Sequence, residues 1–229
     1  MKLDRVLTIS GKVVPVSDER VVLGLSDPGR AQFTVEAAAG DVAAFSAVAF
    51  DLGYASDDSL QRLFFGFVES VTPIDSVHCK LFCRELAGVL RRPMPLNLRH
   101  PDLRDVLGAI GALTNLVFSA PAVDYCSTKI ANFVCLGDGL QALDSVGRAF
   151  RVADFVFQQQ GDGVIFVGSW ADSRWAGKAV DVDVSFFDGQ VSSGSARIAA
   201  VPVFRPGVVV NGKRVLGLEF SGNFMTLSW

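Results

Sequence analysis

The chain has 229 residues, is 50% apolar and carries a formal net charge of −3 at pH 7. Disordered chains combine low hydrophobicity with high net charge, so this composition excludes intrinsic disorder. Its 21 Lys and Arg residues are scattered rather than gathered in a basic patch, so we expect no sequence-specific nucleic-acid binding. The apolar run at residues 6–9 is too short for a signal peptide, and residues 37–52 are too short and too charged to span a bilayer. We therefore expect no export signal, no membrane span and folding in a cytoplasm.

The first block, residues 1–92, is a succession of short strands between turn signals. Residues 27–30 form a turn, and residues 31–36 then alternate with the period of two that indicates a half-buried strand. Further strands are predicted at residues 45–52, 63–71 and 77–84. Such strands predict a small barrel or sandwich, and we assign an N-terminal β-barrel domain.

The second block, residues 93–170, predicts an α+β middle domain with two helices and a hairpin. Apolar residues recur with helical spacing over residues 103–113, and Asp102 precedes them, where an acidic side chain favours the helix dipole. Asp138 resembles the N-cap of a capping box before a second helix over residues 139–150.

The hairpin of this block joins strands at residues 153–159 and 164–170. Asp162-Gly163 suits the positive φ angles of the tight turn between them. The polar run at residues 158–160 lies beside the turn and is available to a partner.

The third block, residues 171–229, returns to strands and predicts a C-terminal β-barrel domain. Asn211-Gly212 is a strong hairpin signal between two apolar runs. Residues 9–14 and 210–215 share a short pattern, a weak internal echo between the two end blocks. The whole chain is therefore predicted to be α+β and mostly β, with two small β-barrels flanking the middle domain.

The cysteines are the first place to look for chemistry. Cys79 and Cys83 lie four residues apart in a predicted strand, so their Cα atoms would be about 13 Å apart, too far for a disulfide. Together with Cys126 and Cys135 they are candidates for an iron–sulfur cluster, although no Cys-x-x-Cys spacing is present. We favour four reduced thiols and no cofactor.

Other candidate residues have plain structural interpretations. His78 lies in a predicted strand and His100 at a helix boundary, and neither has an evident catalytic partner. Asp181 and Asp183 share a strand face, as the polar residues of a half-solvated strand do. We predict no catalytic residue, no cofactor-binding residue and no metal ligand, and hence no enzyme.

The order of these motifs resembles that of bacteriophage baseplate or tail-tip hub proteins. The resemblance covers nearly the whole chain and rests on residues 98–101, the first helix, residues 139–143, the hairpin at 155–168, and residues 204–215 and 225–229. It implies a homotrimer in which two related barrels per subunit form a six-fold-like ring, so that a hexameric tail tube is adapted to a three-fold tip. Hubs of contractile tails are often longer than this chain.

The resemblance also implies partners and a location. The partners are other tail proteins, namely a tube or distal-tail ring and a central fibre or spike. The genome passes through the lumen, which a slightly acidic chain suits because a basic lumen would hold the phosphates. The location is the virion tail tip, after synthesis in the host bacterial cytoplasm.

Two other functions compete with this one. A carbohydrate- or surface-binding β module would use exposed aromatic residues such as Trp170 and Trp175. A cell-wall hydrolase carried by the tail would need a pair of Asp or Glu residues in a cleft, and the sequence nominates none.

Overall fold

The computed structural model describes residues 2–55, 59–188 and 194–229. The chain divides into two compact units, the first formed by Met1–Leu86 and Lys178–Trp229 and the second by Ala87–Gly177. The second unit corresponds to the predicted middle domain with slightly wider limits. The first unit is discontinuous in sequence and combines both end blocks.

The first unit contains one ten-stranded sheet whose order is β14-β18-β17-β3-β4-β7-β6-β5-β1-β2, with every neighbouring pair antiparallel. Its strands are β1 Leu3–Ile9, β2 Lys12–Val14, β3 Val16–Gly24, β4 Asp27–Glu36, β5 Ala47–Tyr54, β6 Gln61–Pro73, β7 His78–Glu85, β14 Ser195–Ala199, β17 Gly217–Ser221 and β18 Phe224–Ser228. Short 3₁₀ turns occupy Ala39–Asp41 and Val184–Phe186.

The C-terminal strands join the N-terminal sheet instead of closing on themselves. β17 pairs with β3, so Leu218 lies opposite Leu23 and Phe220 opposite Val21. The prediction of two separate small barrels is therefore not confirmed. The physical reason is that the C-terminal strands bury their apolar residues in a core shared with the N-terminal strands.

Four phenylalanines form the centre of that shared core. The Phe33 ring lies 5.1 Å from that of Phe50 and 6.2 Å from that of Phe64, and the Phe50 and Phe220 centroids are 5.9 Å apart. Because β4 and β5 are separated by two strands in the sheet order, these contacts require the sheet to coil strongly around its apolar face.

A second, smaller sheet of this unit has the order β13-β15-β16 and comprises Ala179–Val180, Val209–Val210 and Lys213–Arg214. The predicted Asn211-Gly212 hairpin is confirmed, with φ angles of 47° and 77° at the two turn residues. The predicted strand over residues 180–187 is shorter than expected: it ends at Val180, and the next regular element is the 3₁₀ turn at Val184–Phe186.

The second unit packs three helices on two small sheets. Its helices are α1 Leu103–Thr114, α2 Asp124–Ser127 and α3 Gly139–Ala149, with 3₁₀ turns at Leu86–Arg91 and Trp170–Asp172. Its strands form the sheets β10-β8 (Asn132–Cys135 and Leu96–Arg99) and β11-β12-β9 (Phe155–Gln159, Ile165–Ser169 and Phe118–Ser119). No helix in the described ranges is long and apolar enough to cross a membrane.

Both predicted helices are present; the expected cap at Asp138 is confirmed, whereas the cap at Asp102 was not predicted. The Asp102 carboxylate accepts a hydrogen bond from the Asp105 backbone N–H, and the Asp105 carboxylate accepts one from the Asp102 backbone N–H at 3.0 Å, forming a full capping box. Asp138 caps α3 by accepting from the Gln141 N–H at 2.8 Å. Leu113, which the helical spacing places on the apolar stripe, is 62% exposed.

Candidate interaction surface

The four cysteines are divided between the two units and all are buried. Cys79 and Cys83 lie on β7, and Cys126 and Cys135 belong to the apolar core of the second unit. Burial raises the pKa of the Cys83 thiol to about 12, so this thiol is neutral and unreactive. Within residues 2–55, 59–188 and 194–229, no three or more His, Cys, Asp or Glu side chains are grouped to hold a metal ion. The absence of a cofactor stays a prediction.

The histidines and paired aspartates have local roles. His78 contacts the Asp75 carboxylate at 3.0 Å in the β6–β7 turn. The Val77 backbone N–H, more than His78, lowers the pKa of that carboxyl. His100, with a φ of 51°, occupies the bend before α1. Asp183 accepts hydrogen bonds from the backbone and hydroxyl of Ser185, which lower its pKa.

The residues proposed for carbohydrate binding are built into the second unit. Trp175 donates its indole N–H to Gln158 at 3.2 Å, and the Arg174 guanidinium lies 4.4 Å above its ring. Gln158 and Gln159 are buried, and Gln159 accepts a hydrogen bond from the Ala87 N–H at 2.9 Å. One face of the Trp175 ring is therefore covered by Arg174. Gln158 and Gln159, which were expected to face a partner, instead bond within the second unit.

A buried ion pair joins distant parts of the first unit. Glu85 at the end of β7 accepts from the Gly29 N–H at 2.7 Å and lies 3.2 Å from the Arg205 guanidinium. Arg205 also donates to the backbone carbonyls of Leu63 and Arg62, at 2.9 and 3.0 Å. Burial raises the pKa of Glu85 to about 7, and the charge of Arg205 opposes this shift. The pair ties the segment after β14 to strands β4, β6 and β7.

A second ion pair joins β1 to β3, and its arginine also bonds to the last hairpin. Arg5 lies 3.1 Å from the buried carboxylate of Glu19 and donates to Asn223 at 2.6 Å. Burial raises the pKa of Glu19, with Arg5 acting in the opposite direction. Neither pair could be predicted from local sequence patterns, because Glu85 and Arg205 are 120 residues apart and Arg5 and Glu19 lie on different strands.

The outer face of the large sheet is unusually aromatic. An antiparallel sheet with one face on the core normally presents polar residues on the other. Here Phe65, Phe67 and Phe82 are only half-buried on the outer face, and Phe45 is 67% exposed and stacks on Phe67 with a centroid distance of 6.0 Å. We call these four residues the aromatic face. The Arg62 and Arg84 guanidiniums lie over the rings of Phe65 and Phe82, at 5.6 and 5.1 Å.

Arginine and aromatic residues are the types enriched in protein–protein interfaces. Phe45 also has a φ of 65°, in the left-handed region that bulky residues rarely adopt. Its backbone is held there by a hydrogen bond from its N–H to the Val68 carbonyl at 2.8 Å. A strained backbone that presents an exposed aromatic ring marks the aromatic face as the candidate functional surface.

The chain matches solved phage tail proteins over nearly its entire length. It aligns with the 43 kDa tail protein of prophage MuSo2 from Shewanella oneidensis over 99% of this chain and 98% of the other, with a TM-score of 0.73 and 10% identity. The fold is that of a phage tail protein. The resemblance identified from the order of motifs is thereby confirmed at the level of the fold.

The tail-protein fold extends to a secretion machine. An E. coli component of the type VI secretion system, described as structurally similar to the T4 bacteriophage tail proteins gp27 and gp5, matches over 97% of this chain and 75% of its own. The TM-score is 0.64 and the identity 14%.

The sequence itself has a phage relative. The chain is 36% identical over 230 residues to an uncharacterized 58.7 kDa protein in the lys 3′ region of Haemophilus phage HP1 (strain HP1c1). The alignment covers all of this chain and 42% of the relative's length. No protein-family model matches the chain.

Proposed function

We propose that the chain is a structural subunit of a phage tail tip, a baseplate hub that forms a ring at the end of the tail tube. The observation that carries this proposal is the match of 99% of the chain to the MuSo2 tail protein. The relative in phage HP1 supports it, because it is a phage protein and the likeness there is in sequence.

The proposed ring is a homotrimer that adapts the tube to the tip. Closed symmetry requires each subunit to present surfaces that match those of its neighbours. The aromatic face, with Phe45 exposed at its edge, is suited to such a contact. The other partners on this proposal are tail proteins above and below the ring, and the genome passes through its lumen.

The proposed role requires no catalysis, and the ionisable residues support that. The carboxylates with raised pKa values, Glu19 and Glu85, are 4% exposed and are committed to arginine partners. A hydrolase would need such a group in an open cleft facing a second carboxylate. We propose that these two pairs stabilise the subunit rather than act on a substrate.

The position of the chain in the virion tests the proposal. Phage particles that carry an epitope tag on this chain would be purified and labelled with antibody for electron microscopy, with an untagged phage as control. We expect label at the tail end distal to the head. Label along the tube or on the head would contradict the proposal. So would the absence of label from particles that contain the other tail proteins.

A further inference from the structure

Two arginines lie directly opposite each other beside the aromatic face. The strand register places Phe67 opposite Arg84, Arg84 opposite Arg30, and Arg30 opposite Val22 in one row across four strands. Like charges in such cross-strand pairs destabilise a sheet. Glu69 neutralises Arg84 at 2.7 Å, but no carboxylate among the described residues lies within ion-pair distance of Arg30.

A small open cavity lies next to Arg30. Its volume is about 30 Å³, and it is lined by Arg20, Val22, Arg30, Ala31, Gln32 and Phe82. The Arg20 guanidinium is already bound by both oxygens of Glu219, at 2.8 and 3.1 Å. Of the two arginines at this cavity, Arg30 is therefore the one without a carboxylate partner among the described residues, and its planar fork is suited to a carboxylate. The cavity has room for a group about the size of one water molecule.

The same unit exposes a segment of opposite charge. Asp181 and Asp183 are exposed in residues 181–186, and Phe186 at the end of the segment is 61% exposed. The segment is held in place by Asn211, which accepts from the Val182 N–H at 2.8 Å and donates to the Val182 carbonyl at 3.0 Å. It thus presents carboxylates and an aromatic ring on a fixed backbone.

We propose that Arg30 and the Phe45–Phe67 pair form an acceptor surface for residues 181–186 of a second copy of the chain. Asp181 of the second copy pairs with Arg30, and Phe186 packs on the stacked rings of Phe45 and Phe67. The proposal rests on the ring described above and names its contact. Because two different surfaces meet, the contact is heterologous, and it closes a ring of three copies if each copy is rotated by a third of a turn from the last.

The contact also explains two features of the single chain, the lack of a carboxylate beside Arg30 within the described ranges and the exposure of Phe45. The second copy supplies a carboxylate to Arg30, whose cross-strand neighbour Arg84 is already paired with Glu69. It also covers Phe45, whose left-handed backbone holds the ring out towards solvent. Exposed aromatic anchors that pack into a partner contribute strongly to interfaces.

A charge swap tests the contact. Arg30→Glu and Asp181→Arg would each be compared with the wild-type chain by sedimentation equilibrium, together with a variant that carries both changes. Lys129→Glu in the second unit is the matched control for a single charge reversal. Arg30→Glu removes the repulsion from Arg84, so the fold should be retained, and circular dichroism would check this.

We expect each single reversal to weaken the oligomer at least about tenfold, which corresponds to ~1.4 kcal/mol per contact. The double variant should recover most of the association, and Lys129→Glu should leave it unchanged. Phe45→Gly should weaken the oligomer without unfolding the chain.

The outcomes of this experiment test the contact independently of the proposed location in the tail. If the Arg30→Glu variant associates as tightly as the wild-type chain, the acceptor surface is wrong. If the single variants associate weakly and the double variant does not restore association, residues 181–186 are not the segment that binds the acceptor surface. A wild-type chain that is monomeric at about 100 μM would overturn both the contact and self-assembly of the ring, whereas the location in the tail is decided separately by the labelled particles.

Discussion

Glu85 and Arg205 are 120 residues apart in the chain and form a buried ion pair at 3.2 Å. The pair fastens the C-terminal part of the first unit to its N-terminal strands. Breaking a buried pair by removing one partner leaves the other group buried without that partner, which is far more destabilising than losing an exposed pair.

Arg205→Ala should therefore lower the free energy of unfolding by about 3–5 kcal/mol. Arg20→Ala is the matched control, because its pair with Glu219 is exposed on the same sheet and should contribute at most about 1 kcal/mol. Urea unfolding of both variants would measure the difference. Equal losses in the two variants would show that the buried pair does not hold the C-terminal segment.

Glu85 should also make stability depend on pH. Its pKa in the folded chain is about 7, above its ordinary value of 4.5, so between these values the folded state binds more protons than the unfolded state. The contribution of Glu85 to stability is therefore full below the unfolded pKa and is lost as the pH rises towards 7. Unfolding free energies of wild type and Glu85→Gln would be compared between about pH 5 and pH 8. We expect the unfolding free energy of the wild type to rise relative to that of the variant as the pH falls. A difference between the two that does not change with pH would contradict the raised pKa of Glu85.

Local features of the fold could be predicted from the sequence, because their partners lie within a few residues. The Asp138 cap accepts from a backbone N–H group three residues on, and the Asn211-Gly212 turn depends on the positive φ angles of those two residues. The pairing of β17 with β3 could not be predicted in this way. It joins residues almost 200 positions apart, and each strand alone is compatible with a separate barrel.

The aromatic face was missed for a related reason. β6 carries register shifts beside Phe50 and after Val68, so its residues do not follow a simple alternation of inner and outer positions. From the sequence, Phe64 and Phe65 are equally good core residues. Only the register shows that Phe64 is fully buried while Phe65 is half-buried on the outer face.

The strain at Phe45 predicts an unusual order of stabilities. Phe45→Ala removes the ring but keeps a Cβ atom at a φ of 65°, whereas Phe45→Gly removes both the ring and the steric conflict. We expect Phe45→Gly to be more stable than Phe45→Ala by about 1 kcal/mol. Chemical unfolding of the two variants would measure this. The usual order, in which glycine is the less stable of the two, would show that the left-handed backbone is not retained in solution.

The cysteines lead to a prediction that separates buried thiols from an iron–sulfur cluster. The four thiols are buried, and the pKa of Cys83 is raised to about 12 by burial, so none should react with a thiol reagent while the chain is folded. All four should react at once after denaturation, and the folded protein should be colourless. Visible absorbance that disappears on denaturation, with release of iron, would instead favour a cluster. Because Cys79 and Cys83 share one strand of the first unit while Cys126 and Cys135 lie in the core of the second, substituting Cys79 should leave the reactivity of Cys126 and Cys135 unchanged.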